Sequence, residues 1–265
     1  MPLVGTNHTA IEDFFPPLTR AVMRRWDAHY YNKCSFVSAP YQKLIERMRA
    51  VGFKKAGRAV PNPADLHEFS PPSPAEREVH KRALGLTGPV VLYAGRLGVE
   101  KRVDVLVRAM AALHKQVPNI TFVSTGHGAA QPALERLVQT LGLGKHVRFT
   151  GYLSRAALPH VYQAADLFWI ASTSDSQSLA LMQAYATGLP AVCARARGLP
   201  DYTPASCGFL ASPGKPEEFA QYASELLQND ALRHDMSRAA IEFANQFSPD
   251  KIADEWEEIY KKFAR

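Results

Sequence analysis

Six short apolar runs cross the middle of this chain, each closed by a glycine or a small polar turn and followed by a stretch of helical period. They are PVVLYAG (89–95), ITFVST (120–125), HVRFTG (146–151), DLFWIA (166–171), LPAVCA (189–194) and CGFLA (207–211). Apolar runs without alternation of apolar and polar positions predict strands buried on both faces rather than ones with a wet side. Between the first two, Val103, Leu106, Val107 and Met110 stand at i, i+3, i+4 and i+7, one face of a helix. Strands alternating with helices predict an α/β fold with a parallel, doubly wound sheet over 89–246.

The flanks read differently. Residues 62–77 (NPADLHEFSPPSPAER) are rich in Pro and acids and predict a linker, taken as 62–88. Residues 1–61 hold two weak strand signals (2–5 and 34–38) and two helical stretches, too little for a sheet of their own. Beyond 214 the chain is helical, ending in a segment (247–265) whose Trp256, Ile259, Tyr260 and Phe263 form an apolar stripe that must pack on something.

Composition narrows the class. At 265 residues the chain is long for one core and short for two full α/β domains. Hydrophobic residues are 46% and charged residues 21%, the balance of a soluble globular protein. Cys34, Cys193 and Cys207 are scattered, which argues for a reducing compartment and against disulfides or a zinc site. The start MPLVGTNHT lacks the charge and apolar run of a signal peptide, and no stretch approaches membrane-span length, so a cytoplasmic protein is expected. The net charge of +6 is uneven: residues 20–58 carry ten basic and two acidic side chains, hence +8 against −2 elsewhere. Two accounts fit: a solvated pair of helices, or attraction to an anionic surface such as lipid. Nucleic acid is disfavoured because no recognition motif accompanies the charge.

Three constellations carry chemistry. In GRLGVEK (95–101) a buried strand ends at Gly95 and a helix is expected from Val99, with Arg96 and Lys101 close to its N-terminus. Cations there oppose the helix dipole, and an anion such as a diphosphate resolves the conflict. The bland alternative is two exposed cations with Glu100 supplying the favourable charge. GHG (126–128) is a glycine turn without dinucleotide-fingerprint spacing, and His127 alone reads as a loop residue. The segment 172–190 (STSDSQSLALMQAYATGLP) is a polar loop entering a helix that ends at Gly188. Backbone N–H groups at Ser178 and Leu179 offer a second anion site, and Asp175 and Gln183, eight residues apart, can line one ligand. Alternatively, Asp175 only caps the helix and Gln183 is a surface residue.

GRL..EK, G.G, S.SDSQSLALMQAYATGLPAV, RGLPDY and CGFLASPG stand here in the order found in family 4 glycosyltransferases, which the whole chain resembles. VGTNHT and VPNPADLHEFSP are similar to that family's His-Thr strand end and its linker. The resemblance implies a GT-B fold: a nucleotide-sugar-binding Rossmann-like domain (89–246), a partial acceptor-side domain (1–61), and a C-terminal helix (247–265) packing back on the N-terminal part. It implies retaining transfer from a nucleotide-sugar to a lipid or saccharide acceptor, with no cofactor and no obligatory metal. Arg96 and Lys101 would hold the diphosphate, and Gly95, Gly126 and Gly128 would line the donor site. Gly151, Tyr152 and Leu153 would lie along the base. Ser178 and Leu179 would offer N–H to phosphate, Asp175 and Gln183 would meet the donor, and His8 would face the reaction centre from the acceptor side. DSQSL and the VGT.HT..EDF start resemble the subgroup that glycosylates membrane lipids, which points to a UDP-sugar and a peripheral membrane site.

Three departures matter. The family's paired glutamates become Asp175, one methylene shorter, and Gln183, which loses the charge. Ser178 replaces a glycine. The family's first acceptor-domain strands have no counterpart. A non-catalytic nucleotide-sugar-binding module is therefore the alternative expectation.

Overall fold

The computed structural model describes residues 2–8, 16 and 18–263. Its chain forms two compact units, Met1–Ala64 with Phe247–Arg265, and Asp65–Gln246. The Glu12–Phe14 portion of the resemblance lies outside the described residues.

The first unit has a sheet of its own, contrary to expectation. Strands β1 (Val4–Thr6), β2 (Phe36–Ala39) and β3 (Ala56–Ala59) pair in parallel in the order β1-β2-β3, joined through helices α1 (Arg20–Tyr31) and α2 (Gln42–Ala50). The missing signal was β3, whose sequence AGRA has no β-branched residue; pairing with β2 overrides its poor propensity. Gly57 is required there, since a Cβ would come within 2.8 Å of the Val37 carbonyl oxygen.

The 62–88 segment is also more than a linker. Asp65 onward belongs to the second unit, and helix α3 (Pro74–Ala83) forms inside it. Ser73 and Glu76 make a reciprocal capping box with Pro74 at the first helical position, so the Ser-Pro composition that suggested a break is a helix start. Arg77 and Lys81 of α3 then reach Asp166 at 3.1 and 2.9 Å, and that carboxylate also accepts from Val90 N at 2.8 Å.

The second unit continues with β4 (Val90–Ala94), α4 (Val103–Leu113), β5 (Thr121–Thr125), α5 (Gln131–Thr140), β6 (Val147–Gly151), α6 (Leu158–Ala164), β7 (Leu167–Ile170), α7 (Leu179–Ala186), β8 (Ala191–Ala194), β9 (Gly208–Ala211), α8 (Pro216–Gln228) and α9 (Asp230–Ala244). All six strands predicted from the apolar runs are present and parallel, in the order β6-β5-β4-β7-β8-β9. Helix α4 buries the predicted Val103, Leu106, Val107 and Met110. The core centres on Trp169 of β7, whose ring meets Phe122 and Phe219.

The last helix, α10 (Pro249–Phe263), belongs to the first unit. Ile259 is buried with Phe36 and Val60, and Trp256, Phe263 and Val4 pack around them. Tyr260, the fourth residue of the stripe, stays half exposed and stacks on Trp256. All three cysteines are buried and unpaired. Among the described residues no helix is long and apolar enough to cross a membrane.

Candidate functional site

The strand order reverses between β4 and β7, and open parallel sheets bind ligands in the crevice beyond the carboxyl ends of the strands at such a switch. A cavity of about 450 Å³ opens there, beyond β4, β5 and β6 and against α6 and α7. Backbone bonds lace its floor together. Gly95 N donates to the Thr125 carbonyl (3.0 Å), Leu97 N to His127 (3.1 Å), and Gly126 N to Gly151 (2.8 Å). Gly126 has φ +108°, and any Cβ on it would overlap the Gly95 carbonyl. A Cβ on Gly128 would fall 2.5 Å from the Leu97 carbonyl oxygen. These glycines are thus required by loop against loop, before any ligand is considered.

The GRLGVEK turn departs from expectation. No α-helix starts at Val99; Val99–Lys101 is a single 3-10 turn, Arg102 takes a left-handed φ of 52°, and α4 begins at Val103. Arg102 is held there by its own pair with Asp104 at 3.1 Å. The two cations therefore do not sit on the first turn of α4, and each has a carboxylate instead. Arg96, largely exposed, pairs with Glu100, while Lys101 Nζ lies 2.8 Å from Asp175 Oδ1 with both side chains less than one-fifth exposed.

At the entrance to α7 the N-cap is Ser178, whose buried Oγ accepts from Leu181 N at 3.3 Å. Asp175 is not the cap; its carboxylate goes to Lys101 and its carbonyl accepts from Gly198 N at 3.1 Å. Gln183 is not a surface residue; its Oε1 accepts from the Tyr162 hydroxyl at 3.0 Å. Both bland alternatives for this pair are set aside by these contacts.

Of the residues singled out in the sequence, Gly95, Arg96, Gly126, Tyr152, Leu153 and Gln183 line the cavity. Gly128, Lys101, Asp175 and Ser178 lie in the surrounding turns, Gly151 at the end of β6 and Leu179 at the start of α7, without lining it. His8 is in the first unit, exposed, two residues past β1. His127, read as a loop residue, lines the cavity, as does Thr125. Sequence reasoning missed Tyr162 altogether, together with Leu158 and Ala180 beside it. Tyr162 is fully buried, stacked near Phe168 and edge-on to Phe69, yet its hydroxyl reaches the site.

Burial drives the Tyr162 phenol far above its usual range. Burial does the same to Tyr93, reinforced by the charges of Asp175 and Glu100; its hydroxyl donates to the Arg96 carbonyl at 3.0 Å and holds the turn. Both phenols stay protonated as donors. Among the described residues no group of three or more His, Cys, Asp or Glu is placed to hold a metal ion.

The sequence matches the Glycosyl transferases group 1 family over residues 75–243. It is 32% identical over 206 residues to the D-inositol 3-phosphate glycosyltransferase of Corynebacterium aurimucosum, covering 74% of this chain and 49% of that protein. The alpha-monoglucosyldiacylglycerol synthase of Acholeplasma laidlawii is 26% identical, over 72% of this chain and 52% of that one. The chain thus spans about half the length of these curated relatives. Among solved structures, Anabaena Alr3699/HepE in complex with UDP superposes with a TM-score of 0.87 at 24% identity, covering 98% of this chain and 72% of that one. The C-terminal domain of the group 1 family protein LpcC from Francisella tularensis gives a TM-score of 0.63 at 20% identity, covering 69% of this chain and 97% of its own. The fold is of GT-B type.

Proposed function

Because the chain belongs to the group 1 glycosyl transferases, we propose that its crevice binds a nucleotide-sugar, UDP-linked by preference, and transfers the sugar with retention to a lipid or saccharide acceptor. The observation that carries this is the make-up of the cavity: an apolar flank of Leu153, Leu158, Tyr162 and Ala180 beside the guanidinium of Arg96, which rests on Glu100 and can exchange it for an anion. A nucleobase and ribose suit the first and a diphosphate the second. On this proposal Tyr152 and Leu153 lie along the base. Arg96, Lys101 and the N–H groups at Ser178 and Leu179 meet the diphosphate. Asp175 and Gln183 meet donor hydroxyls. As the glycosidic bond breaks, charge builds on the leaving diphosphate, and the two cations stabilise it without an obligatory metal ion. The UDP bound by the Anabaena protein supports the choice of base.

A lipid acceptor at a membrane face is supported by α1. Val22, Trp26 and Tyr30 follow one another every fourth residue, each more than half exposed, with the two aromatic rings stacked at 5.8 Å. Exposed Arg20, Arg25 and Lys33 flank them. Aromatic rings between cations suit the boundary of an anionic bilayer. The name of the Acholeplasma relative, a glucosyldiacylglycerol synthase, agrees with this choice.

A second proposal, a nucleotide-sugar-binding module without turnover, is favoured by one observation: Asp175 and Gln183 are both engaged by protein partners. Restoring glutamate at both positions decides between them, since faster donor hydrolysis or transfer supports the enzyme and unchanged turnover supports the module.

The nucleotide itself is tested by thermal unfolding with UDP, GDP, UDP-glucose and GDP-mannose. Ligand at 100 times its dissociation constant stabilises by about 2.7 kcal/mol, several degrees for a chain of this size. A shift with uridine compounds alone supports the proposal; a shift with guanosine compounds alone moves the base; no shift overturns it.

A further inference from the structure

Two histidine pairs lie in the second unit, away from the crevice floor, and they differ in the geometry that decides whether a pair can share an ion. His80 and His160 stack nearly face to face, with centroids 4.5 Å apart and planes at 14°. A ring nitrogen carries its lone pair in the ring plane, so lone pairs on such rings run in near-parallel planes and do not meet. His114 and His146 are tilted by 42°, with centroids 5.0 Å apart. A divalent ion about 2.0–2.1 Å from one nitrogen of each ring, at an angle between square and tetrahedral, sets two imidazole centroids about 4.5–5.2 Å apart. The tilted pair has that spacing.

Its hydrogen bonds supply the rest. His114 ends α4, and its Nδ1 lies 3.1 Å from the Met110 carbonyl oxygen. His146 stands just before β6, with Nδ1 3.1 Å from the Ile120 carbonyl oxygen. A carbonyl only accepts, so in each neutral ring the proton sits on Nδ1 and the lone pair on Nε2. Neither Nε2 has a partner among the described residues. Metal-binding histidines are held in this way, the far ring N–H donating to a carbonyl or carboxylate that fixes tautomer and ring orientation. Both histidines are partly buried, whereas Lys115 and Lys145, their neighbours in sequence, are exposed, where water and salt screen the ammonium groups.

We propose that His114 and His146 form a site for one divalent ion of the imidazole-binding class (zinc, copper(II) or nickel), with water completing its coordination. Magnesium and calcium take oxygen ligands and are disfavoured by two ring nitrogens. The pair lies at the amino ends of β5 and β6, and the crevice opens beyond the carboxyl ends of the same strands. The ion therefore ties the end of α4 to the start of β6 and takes no part in the crevice, so the site stands or falls independently of the nucleotide-sugar proposal.

The test is calorimetric titration of the full chain with zinc chloride at about pH 7.5, where a free imidazole is neutral. It compares the native sequence with His114→Gln, His146→Gln, the double variant and His80→Asn. The native chain is expected to bind zinc at this pair and, at 100 times the dissociation constant, to melt several degrees higher. Each single glutamine variant should bind it about 10-fold or more weakly. The double variant should lose no more than either single one, because an ion shared by two rings is lost with either. His80→Asn should bind as the native chain does, and magnesium chloride should leave the melting temperature unchanged. Native affinity in either glutamine variant, or losses that simply add in the double one, overturns the proposal, since the histidines would then be separate surface ligands. A magnesium shift equal to that of zinc overturns it too. Should a glutamine variant not fold, electron paramagnetic resonance of copper(II) on the native chain decides: two coordinating ring nitrogens support the site, and one or none refutes it.

Discussion

Replacing Asp175 by Asn should tighten the binding of UDP while slowing any transfer. Lys101 Nζ and Asp175 Oδ1 stand 2.8 Å apart, with side chains 19% and 15% exposed. At an effective dielectric of about 20, two unit charges at that separation attract by roughly 6 kcal/mol before desolvation is subtracted. Exposed pairs net about 0–1 kcal/mol, and breaking a buried one costs about 3–5 kcal/mol. This pair lies between those limits. The Asn variant leaves an ammonium half deprived of both water and partner, and a diphosphate supplies the missing partner. If about 1–2 kcal/mol of that penalty is recovered on binding, affinity rises roughly 5- to 30-fold. The unliganded variant should unfold a few degrees lower, and saturating UDP should restore it. Calorimetry with UDP on native and Asp175→Asn chains at one ionic strength measures the effect. An affinity equal to or below the native one refutes the reasoning, because Lys101 would then not be the group that the carboxylate holds back from the diphosphate.

Arg96→Ala, which removes the cation at the cavity wall, should weaken UDP by about 10-fold or more, and unchanged calorimetric affinity sinks the assignment of this turn. Gly126→Ala needs both a φ of +108° and space already held by the Gly95 carbonyl, so it should lower the unfolding temperature by several degrees and abolish nucleotide binding; a native melting curve counts against the loop packing described. His80 stacks on His160 at 4.5 Å, and burial together with that neighbour lowers its pKa from the ordinary 6.5, with Glu76 partly opposing. A depressed histidine contributes stability that is complete above its unfolded value and lost as pH falls below it. Melting temperatures between pH 7.5 and 5.5 should therefore fall less for His80→Asn than for the native chain, and equal slopes would contradict this.

Much of the second unit was legible because its signals are local. A short apolar run without alternation, closed by a glycine turn and followed by a helical stretch, reads as a strand covered on both faces, and a succession of such runs with helices between them defines the sheet. What escaped depended on partners distant in sequence. Ala56–Ala59 is a strand only because β2 lies beside it. Arg102 adopts a left-handed conformation that its residue type does not favour, and the helix expected at Val99 starts four residues later. The capping box at Ser73 and Glu76 was present to be read, but two prolines beside it drew the segment toward a linker. Tyr162 was hidden for a different reason. Its ring satisfies every criterion of a core residue, and only the three-dimensional position of Gln183, 21 residues away, reveals the hydroxyl as part of the site.

The same distance explains why spacing alone left Arg96 and Lys101 evenly balanced between ligand and solvent. The turn that offers two cations also brings Glu100, and the loop 74 residues beyond Lys101 brings Asp175. The unliganded crevice is consequently close to neutral, each cation already facing a carboxylate. A diphosphate entering such a site exchanges partners rather than filling an open positive patch. Exchange makes the free energy of binding the difference between two sets of ion contacts, so substitutions among the resting carboxylates act on affinity as strongly as substitutions among the cations, and with the opposite sign. A shortened acid at position 175 then has a consequence that its reach to a sugar does not exhaust: its hold on Lys101 sets how readily that lysine is released to the leaving group.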